Sequence, residues 1–191
     1  ADNDMRNLEG LAALPIYLST RAGIRAKAAA YQAKSDEARR YFALAQDFIE
    51  RSAPALIAIG GLSGTGKSTL ARGLAPDIGA APGAVVLRSD IERKRLFAVA
   101  ETQRLPESAY TAQVTETVYR TLAKKTRAAL RAGHSVILDA VHGRQFERED
   151  ARNAAEETGA EFVGIWLTAS EETLVARVES RQPDASHAGA A

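Results

Sequence analysis

The stretch Ala55-Leu-Ile-Ala-Ile-Gly-Gly61-Leu-Ser-Gly-Thr-Gly66-Lys67-Ser68-Thr69 decides how the rest of the chain is read. It opens on a short continuous apolar run, which a strand buried on both faces of a parallel sheet requires. From Gly61 to Ser68 it fits G-x-x-x-x-G-K-[ST], the phosphate-binding loop. Glycines 61, 64 and 66 let the backbone curl so that successive N–H groups, with those of Ser63 and Thr65, face one anion. A helix starting near Lys67 adds the positive end of its dipole. Lys67 brings a mobile charge to the β- and γ-phosphates. Ser68 offers a hydroxyl to Mg²⁺, and Thr69 is placed to donate to the α-phosphate.

Outward from this loop the chain alternates between helical and strand patterns. Leu70, Ala71, Leu74 and Ile78 predict a helix over 68–78. Short apolar runs predict strands over 84–87, 135–138 and 162–167. Helical spacing predicts helices over 91–99, 108–132, 144–158 and 170–180, with Gly133 and Gly159 as C-terminal stops. Such alternation argues for a three-layer α/β/α unit around a mostly parallel sheet. Residues 1–53 carry no strand pattern and read as a helical segment that Pro54 closes. Tyr41, Phe42 and Phe48 in it read as helix core. The expected division is 1–53 helical, 54–181 a P-loop domain, and 182–191 an incomplete lid or mobile tail.

Composition removes several classes of function. The chain of 191 residues has no cysteine, so disulfides, thiolate catalysis and Cys-ligated zinc are excluded. A formal net charge of +1 gives no electrostatic case for nucleic acid. His134, His142 and His187 lack metal-ligand spacing. No apolar run is long enough for a membrane helix and no leader pattern opens the chain, so a cytoplasmic protein is expected.

Phosphoryl transfer needs a carboxylate for Mg²⁺, a group to align or deprotonate the acceptor, and positive charge over the moving phosphate. Ligands of open α/β sheets sit at the C-terminal strand ends. Asp90 follows the second strand and is the candidate base. Its competing reading is a first-turn helix acid, beside a Ser89–Glu92 capping box. Asp139 ends the third strand in the Walker-B manner and is the candidate metal ligand. The two carboxylates could exchange roles. Arg177 and Arg181, four apart on one helix face, are candidates to close over the nucleotide, Arg181 at the transferring phosphate. Arg93, Arg95 and Arg144 are further candidate acceptor or phosphate contacts, and His142 reads as a loop histidine.

With these residues assembled, 55–181 resembles the small P-loop kinases, among them gluconate, shikimate and adenylylsulfate kinases, chloramphenicol phosphotransferase, polynucleotide kinase and zeta toxin. The resemblance is carried by Gly61–Thr69, Arg88-Ser-Asp90-Ile-Glu-Arg93-Lys-Arg95-Leu, Val136-Ile-Leu-Asp139-Ala and Leu174-x-x-Arg177-x-x-x-Arg181. Within that group it is most similar to the AAA-type kinase half of bacterial two-part proteins whose first half is aminoglycoside-phosphotransferase-like. Asp184-Ala-Ser186 after Arg181 matches that wording, and Leu14 to Lys27 looks like the closing helices of such a first half. The resemblance implies ATP and Mg²⁺ as cofactors, a small-molecule acceptor, and an upstream domain of the same polypeptide as partner. It also implies a fifth strand after the lid, which this stretch lacks, so the chain is expected to be cut at both ends. The segment around Asp90 departs from the adenylylsulfate kinase pattern, which argues against that acceptor.

The leading expectation is therefore an ATP-dependent kinase acting on a hydroxyl. A GTPase would carry Asn-Lys-x-Asp, which is absent. An ATPase motor usually follows the Walker-B Asp with glutamate, where this chain has Ala140. An ATP-binding ATPase or regulatory module of a larger protein is the alternative.

Overall fold

The structure is a computed structural model that describes residues 5, 7, 8, 10–50 and 53–179, with side chains described as far as Arg177. Arg181 and the 182–191 segment lie outside the described residues. The elements run α1 (Leu14–Tyr31), α2 (Ser35–Asp47), β1 (Ala55–Gly61), α3 (Lys67–Leu74), β2 (Val85–Arg88), α4 (Ser89–Leu96), α5 (Ala112–Arg131), β3 (Val136–Asp139), α6 (Gln145–Thr158), β4 (Glu161–Leu167) and α7 (Glu171–Glu179).

The four strands form one sheet in the order β2-β3-β1-β4, parallel at every pairing. Period-two alternation divides its side chains. Leu56, Ala58, Val136 and Leu138 face α5 and α6, packing with Val118, Leu122, Ala151 and Ala154. Ile57, Ile59 and Ile137 face α3 and pack against Ala71. Both faces of β1 and β3 are thus covered, which is why their sequences are continuous apolar runs instead of alternating ones. Ile59 and Ile137 are fully buried, each contributing roughly 1.5–3 kcal/mol of apolar burial. From β1 the chain builds β2 and β3 on one side and then crosses to β4 on the other. That switch opens a crevice at the C-terminal ends of the strands, where the phosphate loop lies.

Element boundaries move for local reasons. The helix expected over 68–78 ends at Leu74, because Pro76 cannot continue the ladder, and a 3₁₀ turn, Ala75–Asp77, follows. The helix expected over 108–132 starts at Ala112. Thr111 caps it by accepting the Val114 N–H at 3.4 Å, and Glu107–Tyr110 form a separate 3₁₀ turn. The helix expected over 91–99 begins at Ser89. Arg88 is its N-cap, without a side-chain cap bond. The Ser89–Glu92 capping box is therefore not formed. Glu92 instead turns inward to Lys125 at 2.7 Å and to Arg95 at 2.9 Å.

Helices α1 and α2 pair as a hairpin, tied by the Ser19 hydroxyl donating to the Ala45 carbonyl at 2.7 Å. Leu11 O lies 2.9 Å from His134 Nε2, just before β3. The hairpin thus meets the sheet at the N-terminal ends of its strands, away from the phosphate loop. Phe42 is 59% exposed, so the expected Tyr41–Phe42–Phe48 core is corrected: α2 is too short and too polar to enclose all three rings.

Candidate functional site

The phosphate loop joins β1 to α3. Gly61 has φ +136°, and a Cβ there would sit 2.5 Å from the Leu167 carbonyl oxygen of the adjacent strand. Gly64 has φ +88° and lies against the backbone of Leu174 in α7. Only glycine meets both the left-handed backbone and the close approach. Gly66, also left-handed, caps α3 and frees its first N–H groups toward the loop interior. The Leu62 carbonyl accepts from Lys67 Nζ at 2.7 Å and from Thr65 Oγ1 at 2.8 Å, so the loop is closed by its own side chains.

Asp139 ends β3, in register with Ile59 of β1 and Arg88 of β2. Its side chain is 5% exposed. Ser68 Oγ donates to Asp139 Oδ2 at 2.6 Å. Arg88 Nε donates to the same oxygen at 3.1 Å, and Arg88 Nη2 donates to Ser68 Oγ at 3.2 Å. A hydroxyl, a carboxylate and a guanidinium thus form one cluster at the mouth of the phosphate loop. The oxygens are hard donors, and a cation already lies on them. This is the donor set and the charge demand of a Mg²⁺ site completed by phosphate oxygens and water.

Asp90 lies in the first turn of α4, half-buried beside this cluster. Burial pushes its carboxyl pKa up and the Asp139 charge pushes it further, while Arg88, Lys67 and Arg93 oppose the rise. The net direction is upward. The structure therefore brings Gly61, Ser63, Gly64, Thr65, Gly66, Lys67, Ser68, Thr69, Asp90 and Asp139 to one crevice. Arg177 joins them from α7, its Nη1 donating to the Gly64 carbonyl at 3.3 Å.

Other candidates are engaged elsewhere. The Arg93 guanidinium is buried, donating to the Ala109 carbonyl at 2.6 Å and lying 5.1 Å from the Tyr110 ring centroid. Arg95 pairs with Glu92. Arg144 is exposed at the start of α6. His142 lies in the loop between β3 and α6, as expected, but it is buried: it is 3% exposed, with φ +52°, its ring edge-on to Tyr119 at 5.8 Å. Its backbone N–H donates to the Tyr119 hydroxyl at 3.1 Å, and burial lowers its side-chain pKa below the usual 6.5.

Two residues of the crevice were not singled out as site residues in the sequence. Arg88 is one, and its signal lies in the β2–β3 register, which aligns it with Asp139. Tyr110 is the other. Burial and the nearby Asp90 charge raise its pKa, and the Arg93 guanidinium lies 5.1 Å from its ring centroid.

Comparison with known proteins agrees with this architecture. The AAA domain family model matches residues 56–191, and the chain belongs to that family. An uncharacterized protein of Mycobacterium tuberculosis is 33% identical over 175 residues, covering 86% of this chain and 34% of that protein. The chain thus spans about a third of the length of the mycobacterial relatives it matches. An adenylyl-sulfate kinase of Myxococcus xanthus is 32% identical over 127 residues, covering 66% of this chain and 64% of that one. A solved protein of Chloroflexus aurantiacus, described as a candidate kinase, shares the fold at TM-score 0.55 and 24% identity, covering 68% of this chain and 66% of its own. The fold is that of the P-loop kinases.

Proposed function

We propose that this chain is an ATP- and Mg²⁺-dependent kinase that moves the γ-phosphoryl group to a hydroxyl of a small molecule. The observation that carries the reading is the Ser68–Asp139 hydrogen bond at the mouth of the phosphate loop, with the Asp90 carboxyl beside it. The loop N–H groups from Gly61 to Thr69 hold the phosphates of ATP. Lys67 leaves the Leu62 carbonyl for the β- and γ-oxygens. Ser68 and Asp139 would hold the Mg²⁺, which when bound would offset phosphate charge. Asp90 accepts the proton of the attacking hydroxyl, so that the new O–P bond forms as the bond to ADP breaks. Arg177 steadies the loop from α7, and Arg181 supplies charge at the transferring group. The segment around Asp90 departs from the adenylylsulfate kinase pattern, which argues against adenylyl sulfate as the acceptor.

The length of the mycobacterial relatives supports a second reading, in which this unit serves as a regulatory ATP-binding module of a longer polypeptide with an upstream domain. Residues 1–53 would then be the junction, and 54–181 the nucleotide unit. We place the protein in the cytoplasm, where ATP is supplied; among the described residues no helix is long and apolar enough to cross a membrane. The test is ADP release with ATP, Mg²⁺ and panels of sugars, nucleosides and aminoglycosides. Release stimulated by one acceptor class supports the kinase. Tight ATP binding without turnover under every acceptor supports the module.

A further inference from the structure

The roles above leave Arg88 unused, although it grips the two oxygens on which they turn. We propose that Arg88 is a tethered counter-cation. It occupies the Ser68–Asp139 pair until a divalent ion takes those oxygens, and it then moves onto the terminal phosphate of the bound nucleotide. The inference rests on the reading that this pair holds the metal.

Three observations carry it. The guanidinium contacts both members of the pair at once, Asp139 Oδ2 at 3.1 Å and Ser68 Oγ at 3.2 Å. The Arg88 and Asp139 side chains are only 11% and 5% exposed, so the contact is largely shielded from water. The Asp139 charge opposes ionisation of Asp90 while Arg88, Lys67 and Arg93 offset it, so these neighbouring acids call on nearby positive charge. A guanidinium is always charged and meets that need.

A divalent ion on Ser68 Oγ and Asp139 Oδ2 cannot coexist with the guanidinium there. The donor N–H groups occupy the same lone pairs, and the two cations repel. Displacement leaves the guanidinium a short distance from the phosphate loop, since Ser68 belongs to the first turn of the helix that follows it. Its planar fork matches two phosphate oxygens. β2 fixes the backbone of Arg88 in register with Asp139, so the side chain alone moves. A purely structural ion pair would instead stay in place and help to hold the metal's ligands.

The two accounts separate in metal binding without nucleotide. Mn²⁺ titration followed by electron paramagnetic resonance is the direct readout. Arg88→Met binds Mn²⁺ about tenfold more tightly than the unmodified chain if the guanidinium competes for its ligands. Arg88→Gln, which keeps hydrogen-bonding capacity without charge, shifts in the same direction and serves if the Met variant does not fold. Both variants also lose much of the preference for ATP over ADP, measured by calorimetry. Unchanged or weaker Mn²⁺ binding in both overturns the inference. Asp139→Asn tells the two levels apart. If it loses the ion while the Arg88 variants bind like the unmodified chain, the Arg88 role alone fails. If Mn²⁺ affinity is untouched by Asp139→Asn, the metal reading beneath it fails as well.

Discussion

Ser68 Oγ and Asp139 Oδ2 are 2.6 Å apart, joining the first turn of α3 to the end of β3 across 71 residues of sequence. The contact exists because β1 and β3 are adjacent and in register, Ile59 opposite Asp139, and because the phosphate loop returns the chain over the β1 end. Under the proposed kinase reading, these two hard oxygens would hold the Mg²⁺. Ser68→Ala and Asp139→Asn should each raise the Mg²⁺ concentration for half-maximal turnover about tenfold or more. A Mg²⁺ titration of the rate checks this, and an unchanged requirement in both variants contradicts it.

Asp90, the proposed base, carries a stability penalty when charged. Its carboxyl pKa is raised by burial and by Asp139, so its charged form is less favourable in the folded chain than in the unfolded one. For a carboxyl with a raised folded-state pKa, stability is lower above that pKa and recovers as pH falls through it. Asp90→Asn removes the charge and should raise Tm at pH 7. The same variant should lower acceptor-dependent turnover by about 10²–10⁴-fold. Thermal denaturation together with the rate assay reads both effects. A lowered Tm would show that Asp90 is a structural partner instead.

His142 sets an acid limit on stability. Burial lowers its pKa from 6.5, and the ring packs on Tyr119. A base with a depressed folded-state pKa stays neutral in the fold while the unfolded chain takes up a proton. Its contribution is therefore fully present above pH 6.5 and is lost as pH falls below that value toward the folded-state pKa. His142→Asn suits the φ of +52° and cannot titrate. Urea unfolding at pH 7.5 and 5.5 should show a smaller loss of stability for the variant than for the unmodified chain. Equal losses would remove His142 as the cause.

Glu92 and Lys125 form a pair in which each side chain is 4% exposed, at 2.7 Å. It ties α4, which carries Asp90, to α5. Removing one partner leaves a buried charge with less compensation. Lys125→Met should therefore destabilise the chain by about 3 kcal/mol. Glu92→Gln combined with Lys125→Met should recover part of the loss, because no buried charge then remains unpaired. Denaturant unfolding of the single and double variants tests this through their coupling; strictly additive losses would contradict it.

The phosphate loop and the strand-end carboxylate were legible because both depend on local patterns: glycine spacing after an apolar run, and an acid ending one. The parallel sheet followed from the same runs. Arg88 was not legible as a site residue. Its meaning depends on β2 lying against β3 with Arg88 opposite Asp139, a pairing that no local spacing encodes. Ser89 and Glu92 misled for the opposite reason. Their spacing fits a capping box, but the inward-facing Lys125 competes for the Glu92 carboxylate and wins. Phe42 looked like core because an apolar stripe marks one helix face without saying what covers it.

In the proposed reaction the crevice passes the γ-phosphoryl group to an organic hydroxyl. The fate of that group measures it most directly. The chain is incubated with γ-labelled ATP, Mg²⁺ and each acceptor panel, and label in organic phosphate is separated from label in inorganic phosphate. A kinase leaves label in an organic phosphate with at least one hydroxyl acceptor class, and Lys67→Ala abolishes it. Label released only as inorganic phosphate, at one rate with and without every acceptor, would contradict that reading.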